Sequence, residues 1–172
     1  MMLAFAYPTP PMTQPMQLAQ LNVARLLAPI DSPQLVDFVA QLDEINALAE
    51  GSPGFVWRFE GDAREGSTSA PGDEELIINL SVWASSEALF DYVYRSAHKS
   101  VMTRRREWFA KAADMHMVLW WVPAGHWPDI AEAMQRLAEL NAKGPSPAAF
   151  SFREAFGADG RPLGRRALTP AD

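Results

Sequence analysis

His98, Asn22 and Trp83 are the residues of this chain whose types and spacing suggest chemistry. The run SVWASSEALFDYVYRSAHKSVMTRRREWF, residues 81–109, reads as a strand ending in Trp83, a serine cap, and a helix that carries His98. A strand-end indole and a helical imidazole from one βα unit can face a shared pocket. His98 is the candidate there whose ordinary pKa lies near neutrality, so it is the expected general base or acid. Asn22 could polarise a carbonyl or hold an oxyanion, and Trp83 could stack on a planar ligand. Alternation places Gln20, Asn79 and Ser81 on the same side, giving an apolar wall with a few polar groups, the usual form of a small-molecule site. The expected catalytic residues are therefore His98 and Asn22, and the expected substrate-binding residues are Trp83, Asn79, Ser81 and Gln20. The competing reading makes all of them structural, because lone histidines and strand-end tryptophans usually belong to cores and buried amides often satisfy backbone groups.

These residues must be positioned by the elements around them. Gln17 to Arg25 alternates in period two and predicts a first strand. Asp31, Ser32 and Pro33 then cap a helix whose Leu35, Phe38, Val39, Leu42, Ile45 and Ala49 recur at helical spacing until Gly51. Gly54 to Glu60 and Glu75 to Trp83 predict the second and third strands, with a loop over Asp62 to Asp73 between them. Ser85 or Ser86 caps a second helix with Leu89, Phe90, Val93, Tyr94 and Ala97 as its buried stripe, and a further helical stretch runs from about Val101 to Ala113. Asp114 to Val122 predicts a fourth strand. Pro128 and Asp129 open a helix with Ile130, Met134, Leu137 and Leu140 inward, stopping at Gly144, and Phe150 to Glu154 predicts a fifth, edge strand. This order gives an α+β architecture, an antiparallel sheet with helices on one face. The domain is expected over residues 16–156, between an irregular N-terminal segment, 1–15, and an irregular, poorly ordered tail, 157–172.

Composition narrows the function classes. With 172 residues, 48% hydrophobic and 21% charged, the chain is expected to fold as one domain. A net charge of −6 argues against nucleic acid as a partner, and the Arg104, Arg105, Arg106 triplet reads first as a solvated helix face. There is no cysteine, hence no disulfide and no thiolate chemistry. His116 and His126 have no companion at ligand spacing, so no metal is expected. The opening residues lack Lys and Arg and are broken by Pro8, Pro10 and Pro11, which does not read as a secretory leader. No apolar run is long enough to span a bilayer, so a cytoplasmic protein without a membrane partner is expected. Motifs for serine hydrolysis, phosphate loops, dinucleotide binding and zinc proteolysis are absent from the sequence.

Alternation in the third strand separates Leu76, Ile78, Leu80 and Val82 from Ile77, Asn79, Ser81 and Trp83. One face is purely aliphatic and the other mixed. If helices cover only the mixed face, something must cover the aliphatic one, and an identical sheet from a second copy is the simplest cover. A homodimer through the aliphatic sheet face is therefore expected, against the alternative that this face meets the chain's own helices.

The element order and the segment VWASSEALFDYVYRSAHKSVM resemble the dimeric α+β barrel superfamily, which includes antibiotic-biosynthesis monooxygenases and haem-degrading monooxygenases. More closely, LNVARLLAPIDSPQLVDFVAQLDEINALAEGSPGFVWRF and RRREWF resemble an uncharacterised domain-of-unknown-function family of that fold, over roughly Gln17 to Phe156. The resemblance implies a ferredoxin-like protomer, two sheets facing each other in a dimer, and a pocket between each sheet and its helices. Asn22, Trp83 and His98 occupy places comparable to those of the site in the haem-degrading members, although the gap from Trp83 to His98 is about one helical turn longer, roughly 6 Å of extra helix. The function expected from these features is a cofactor-independent, monooxygenase-like enzyme acting on a small aromatic or polyketide-type substrate, with no cofactor. A non-catalytic dimeric metabolite-binding or stress-response protein is the first alternative, and a haem-binding or haem-degrading monooxygenase the second.

Overall fold

The computed structural model describes residues 14–61, 68–96, 104–112 and 114–164. The chain runs β1 (Met16–Arg25), a 3-10 turn at Pro33–Leu35, α1 (Val36–Glu50), β2 (Phe55–Arg58), β3 (Thr68–Ala70), β4 (Asp73–Trp83), α2 (Ser86–Arg95), α3 (104–108), β5 (Met117–Pro123) and α4 (Ile130–Lys143). The strands form one antiparallel sheet in the order β2-β4-β1-β5, and β3 also pairs with β4. The fold class is α+β.

Local chemistry sets the helix boundaries. The Ser85 hydroxyl accepts from the Ala88 N–H at 3.2 Å and starts α2, and the Asp129 carboxylate accepts from the Glu132 N–H at 2.7 Å and starts α4. Gly144, at φ +79°, ends α4 with its N–H on the Leu140 carbonyl at 2.9 Å. Gly54 is fixed by packing as well as by its φ of +83°, because a Cβ there would sit 2.5 Å from the Ala88 Cβ. The turn before β2 therefore lies directly against α2.

The register of β1 against β4 and β5 divides the sheet into two faces. Ala19, Leu21 and Val23 lie beside Val82, Leu80 and Ile78 on one side and, for the first two, beside Trp120 and Val118 on the other. This aliphatic face packs against Ala133, Leu137 and Leu140 of α4. Its rim carries Trp57 of β2, stacked on Trp127 with centroids 6.0 Å apart and ring planes 6° from parallel. On the opposite face, Leu18, Trp83 and Leu119 pack with Ala49 of α1, with Leu89, Phe90, Tyr92 and Val93 of α2, and with Phe150 and Ala155. A third cluster, Leu26, Leu35, Phe38, Ile77 and Trp108, fixes α3 and the start of α1 at the end of the sheet.

Several expectations are corrected by this arrangement. The helices do not gather on one face, since α1 and α2 cover the mixed face and α4 covers the aliphatic one. The aliphatic side chains are buried within the chain itself. Leu76, at the open end of that row, stays half-buried. The expected fifth strand at Phe150 to Glu154 is a pair of isolated bridges, Leu119 to Phe150 and Ser151 to Glu154, because its turns are too tight for a ladder. Part of the expected loop over Asp62 to Asp73 is β3, with residues 62–67 outside the described residues. Of the helical stretch expected over Val101 to Ala113, the described helix is 104–108. The described part of the tail is docked rather than loose: Leu163 packs in the mixed-face cluster and donates its N–H to the Ala155 carbonyl at 2.7 Å.

Candidate functional site

The mixed face carries a row of uncharged polar side chains set by strand register. Gln20 of β1 pairs with Ser81 of β4, Asn22 pairs with Asn79, and Leu18 pairs with Trp83. On the other flank, Gln20 and Asn22 pair with Leu119 and Met117 of β5. Five of the six residues expected from the sequence are therefore neighbours on one face. The sixth, His98, lies outside the described residues.

Hydrogen bonds link four of the five. The Gln20 amide nitrogen donates to the Asn79 Oδ1 at 2.7 Å and to the Ser81 hydroxyl at 3.0 Å, and the Trp83 indole N–H donates to the same hydroxyl at 2.9 Å. Ser81 thus accepts two hydrogen bonds at one buried oxygen. The ladder runs outward from Trp83 and Ser81, both buried, to Asn79, which is exposed. Asn22 stands beside it with a buried Oδ1 that has no hydrogen-bond partner among the described residues. No charged side chain bonds to any of the five among the described residues, so the row offers donors and acceptors without a fixed charge.

Trp83 is enclosed by other aromatic rings. Phe55 meets its ring edge-on at 5.4 Å, and Tyr92 stacks on it at 5.0 Å with planes 26° apart. Those contacts, and an exposure of 1%, leave no indole face for a ligand; Trp83 is the wall behind Ser81. Tyr92 is the residue that sequence reasoning missed. It faces inward in place of Tyr94, its hydroxyl reaches the Ile45 carbonyl at 3.4 Å, and burial pushes its pKa up to about 12. Its spacing of three residues from Leu89 was the available signal. Tyr92 also lines a cleft of about 460 Å³ between the Ser52–Gly54 turn and α2, whose rim carries the Asp91–Arg95 ion pair at 2.8 Å. None of the five expected site residues that are described lines that cleft.

No helix among the described residues is long and apolar enough to cross a membrane. Among curated proteins none matches the chain. Solved structures with a similar fold include a conserved protein from Methanosarcina mazei Go1, at 14% identity over 63% of this chain and 93% of that one, with a TM-score of 0.45. They also include SnoaB, a cofactor-independent oxygenase from Streptomyces nogalater, at 12% identity over 64% and 94% of the two chains, with a TM-score of 0.41. A third is a putative antibiotic biosynthesis monooxygenase from Nitrosomonas europaea, at 10% identity over 66% and 94%, with a TM-score of 0.40. Residues 17–165 match the family described as Domain of unknown function (DUF3291), and the chain belongs to that family.

Proposed function

We propose that the protein binds a small aromatic molecule of polyketide type over the mixed sheet face and oxygenates it without a cofactor. The observation that supports this reading is the buried Asn22 Oδ1, without a hydrogen-bond partner among the described residues, beside the Gln20, Asn79 and Ser81 ladder. A buried acceptor left unpaired costs about 1–3 kcal/mol, and a ligand hydroxyl or N–H would repay it. Asn22 is the anchor, Gln20 and Asn79 orient the substrate, and Trp83 and Tyr92 hold Ser81 and the pocket wall in place.

His98 is the proposed base, and the reaction needs only dioxygen as co-substrate. A ring methylene flanked by electron-withdrawing groups loses a proton to His98. The carbanion gives one electron to dioxygen, and recombination of the radical pair forms a C–O bond. The resulting hydroperoxide loses the second C–H hydrogen and breaks its O–O bond, so CH2 plus O2 becomes C=O plus water. A second reading, binding without catalysis, is favoured by the uncharged character of the described ladder, which holds no group that titrates near neutrality.

Incubation with anthrone-type substrates in air, followed by quinone absorbance, separates the two. The enzyme reading expects turnover that His98→Ala abolishes and Asn22→Ala lowers about tenfold or more, the worth of one lost anchoring hydrogen bond. Tight binding without turnover across the panel leaves the binding reading. Neither turnover nor binding sinks both.

A further inference from the structure

The second site of interest is at the end of the sheet, where α3 meets the start of β5. Arg25, Arg58, Arg95, Arg104 and Arg161 each have a carboxylate within ion-pair distance. Among the described residues Arg106, Arg136 and Arg153 do not: Arg106 and Arg153 are exposed, and Arg136 donates to the Ala148 carbonyl at 3.2 Å. Arg105 does not either. It is half-buried, and its described partner is the His116 Nε2 at 3.4 Å. A guanidinium carries five N–H donors in a planar fork suited to two oxygens of one anion, and a single imidazole nitrogen uses one of them. A half-buried guanidinium with no counter-charge among the described residues keeps donors free for an anion, whose binding would neutralise it.

The pair is held rigidly. Trp108, 1% exposed, anchors α3 among Leu26, Leu35, Phe38 and Ile77. The Leu27 N–H donates to the Trp108 carbonyl at 2.9 Å, and the Phe109 N–H donates to the Arg105 carbonyl at 2.9 Å. His116 is fixed through its carbonyl, which accepts from the Val23 N–H at 2.8 Å. Burial, with the Arg105 charge beside it, lowers the His116 pKa, so the imidazole brings no competing positive charge at neutral pH. Arg104 is already committed to Asp37 and Glu107 and lies over the Trp108 ring, whereas Arg106 points to solvent. The triplet is thus three residues with three different positions, not one solvated face.

We infer that Arg105, with His116 at its side, is the anchor of a binding site for an oxyanion, the carboxylate or phosphate group of a small metabolite. The assignment rests on Arg105 and His116 alone and not on the function proposed for the Asn22 row. The test is a titration of the full-length protein with benzoate and with phenyl phosphate at low ionic strength, read by the ring resonances of His116. At least one anion is expected to give a saturable shift at one site, and the one that binds tells carboxylate from phosphate. Arg105→Gln is expected to weaken that binding about tenfold or more, the worth of a charge-assisted hydrogen bond, while Arg106→Gln changes it less than about twofold. Arg105→Lys keeps the charge, loses the fork, and is expected to fall between wild type and Arg105→Gln, which also guards against misfolding of the Gln variant. Absence of saturation with both anions overturns the inference. So does an Arg106→Gln effect equal to that of Arg105→Gln, which would mean a diffuse basic surface.

Discussion

The two faces of the sheet use alternate residues of the same strands and reach opposite solutions. On the aliphatic face, Ala19, Leu21, Ile78, Leu80, Val82, Val118, Trp120 and Val122 are each 5% exposed or less, and α4 closes over them. On the mixed face, Leu18 and Trp83 are as deeply buried, but Asn22 is half-buried, Asn79 is exposed, and the buried Asn22 Oδ1 has no partner among the described residues. The first face is apolar through its centre, with polar groups at its margins: the buried Gln17 Oε1 and the Glu132 carboxylate on Trp120. The second gives up some of that burial to keep carboxamides at the sheet surface, which is how a binding site differs from a core.

The comparison breaks most visibly if the aliphatic face proves dispensable. Trp120 is its largest fully buried side chain, and its indole N–H also donates to the Glu132 carboxylate at 3.0 Å. Trp120→Ala is expected to cost about 3–5 kcal/mol in urea-induced unfolding, from the cavity and lost transfer energy together. Residual folded protein at low temperature should still bind ligand, because Trp120 faces away from the Asn22 row. A cost below about 1 kcal/mol would mean that α4 does not close this face in solution.

The mixed face has its own stability signature, at alkaline pH. Burial raises the Tyr92 pKa from 10.0 to about 12, so the folded state holds the phenol neutral where the unfolded chain would ionise it. The stabilising contribution is complete below pH 10 and disappears as pH rises towards 12. Keeping the phenol neutral across that window is worth about 2–3 kcal/mol. Unfolding followed at pH 9 and pH 11.5 should show this loss in wild type and a smaller one in Tyr92→Phe. Equal losses in both proteins would place Tyr92 in contact with water, and its stacking on Trp83 would go with it.

Much of this contrast was legible in the sequence, and the part that was not has a physical cause. The alternation of β4 assigned Leu76, Ile78, Leu80 and Val82 to one side and Asn79, Ser81 and Trp83 to the other, because side-chain period in a strand is a property of the backbone. The same regularity brought Gln20 and Asn22 beside Ser81 and Asn79. What covers a face is a long-range matter: the stripe on α4 is visible in its spacing, but spacing does not say which of two apolar surfaces it meets. The expectation that the helices gather on one face arose there. Arg105 was hidden for a related reason, since a triplet of arginines looks uniform until the rotation of a helix assigns each one a different neighbour. Trp83 was found, yet the rings that occupy its faces, Phe55 and Tyr92, come from other elements.

The finest test of the contrast compares two polar residues on the same face, expected to move stability in opposite directions. Ser81 accepts from both Gln20 and Trp83, so Ser81→Ala leaves a buried indole N–H unpaired and is expected to cost about 1–3 kcal/mol. Asn22 brings a buried acceptor that nothing among the described residues satisfies. Asn22→Leu is close in volume and removes that burden, so its stability is expected to stay level or rise by about 1 kcal/mol while ligand binding is lost. Thermal unfolding of the two variants beside wild type measures both signs at once. If Asn22→Leu destabilises as much as Ser81→Ala, the Asn22 carboxamide is already satisfied within the folded chain, and it holds the sheet together rather than waiting for a ligand.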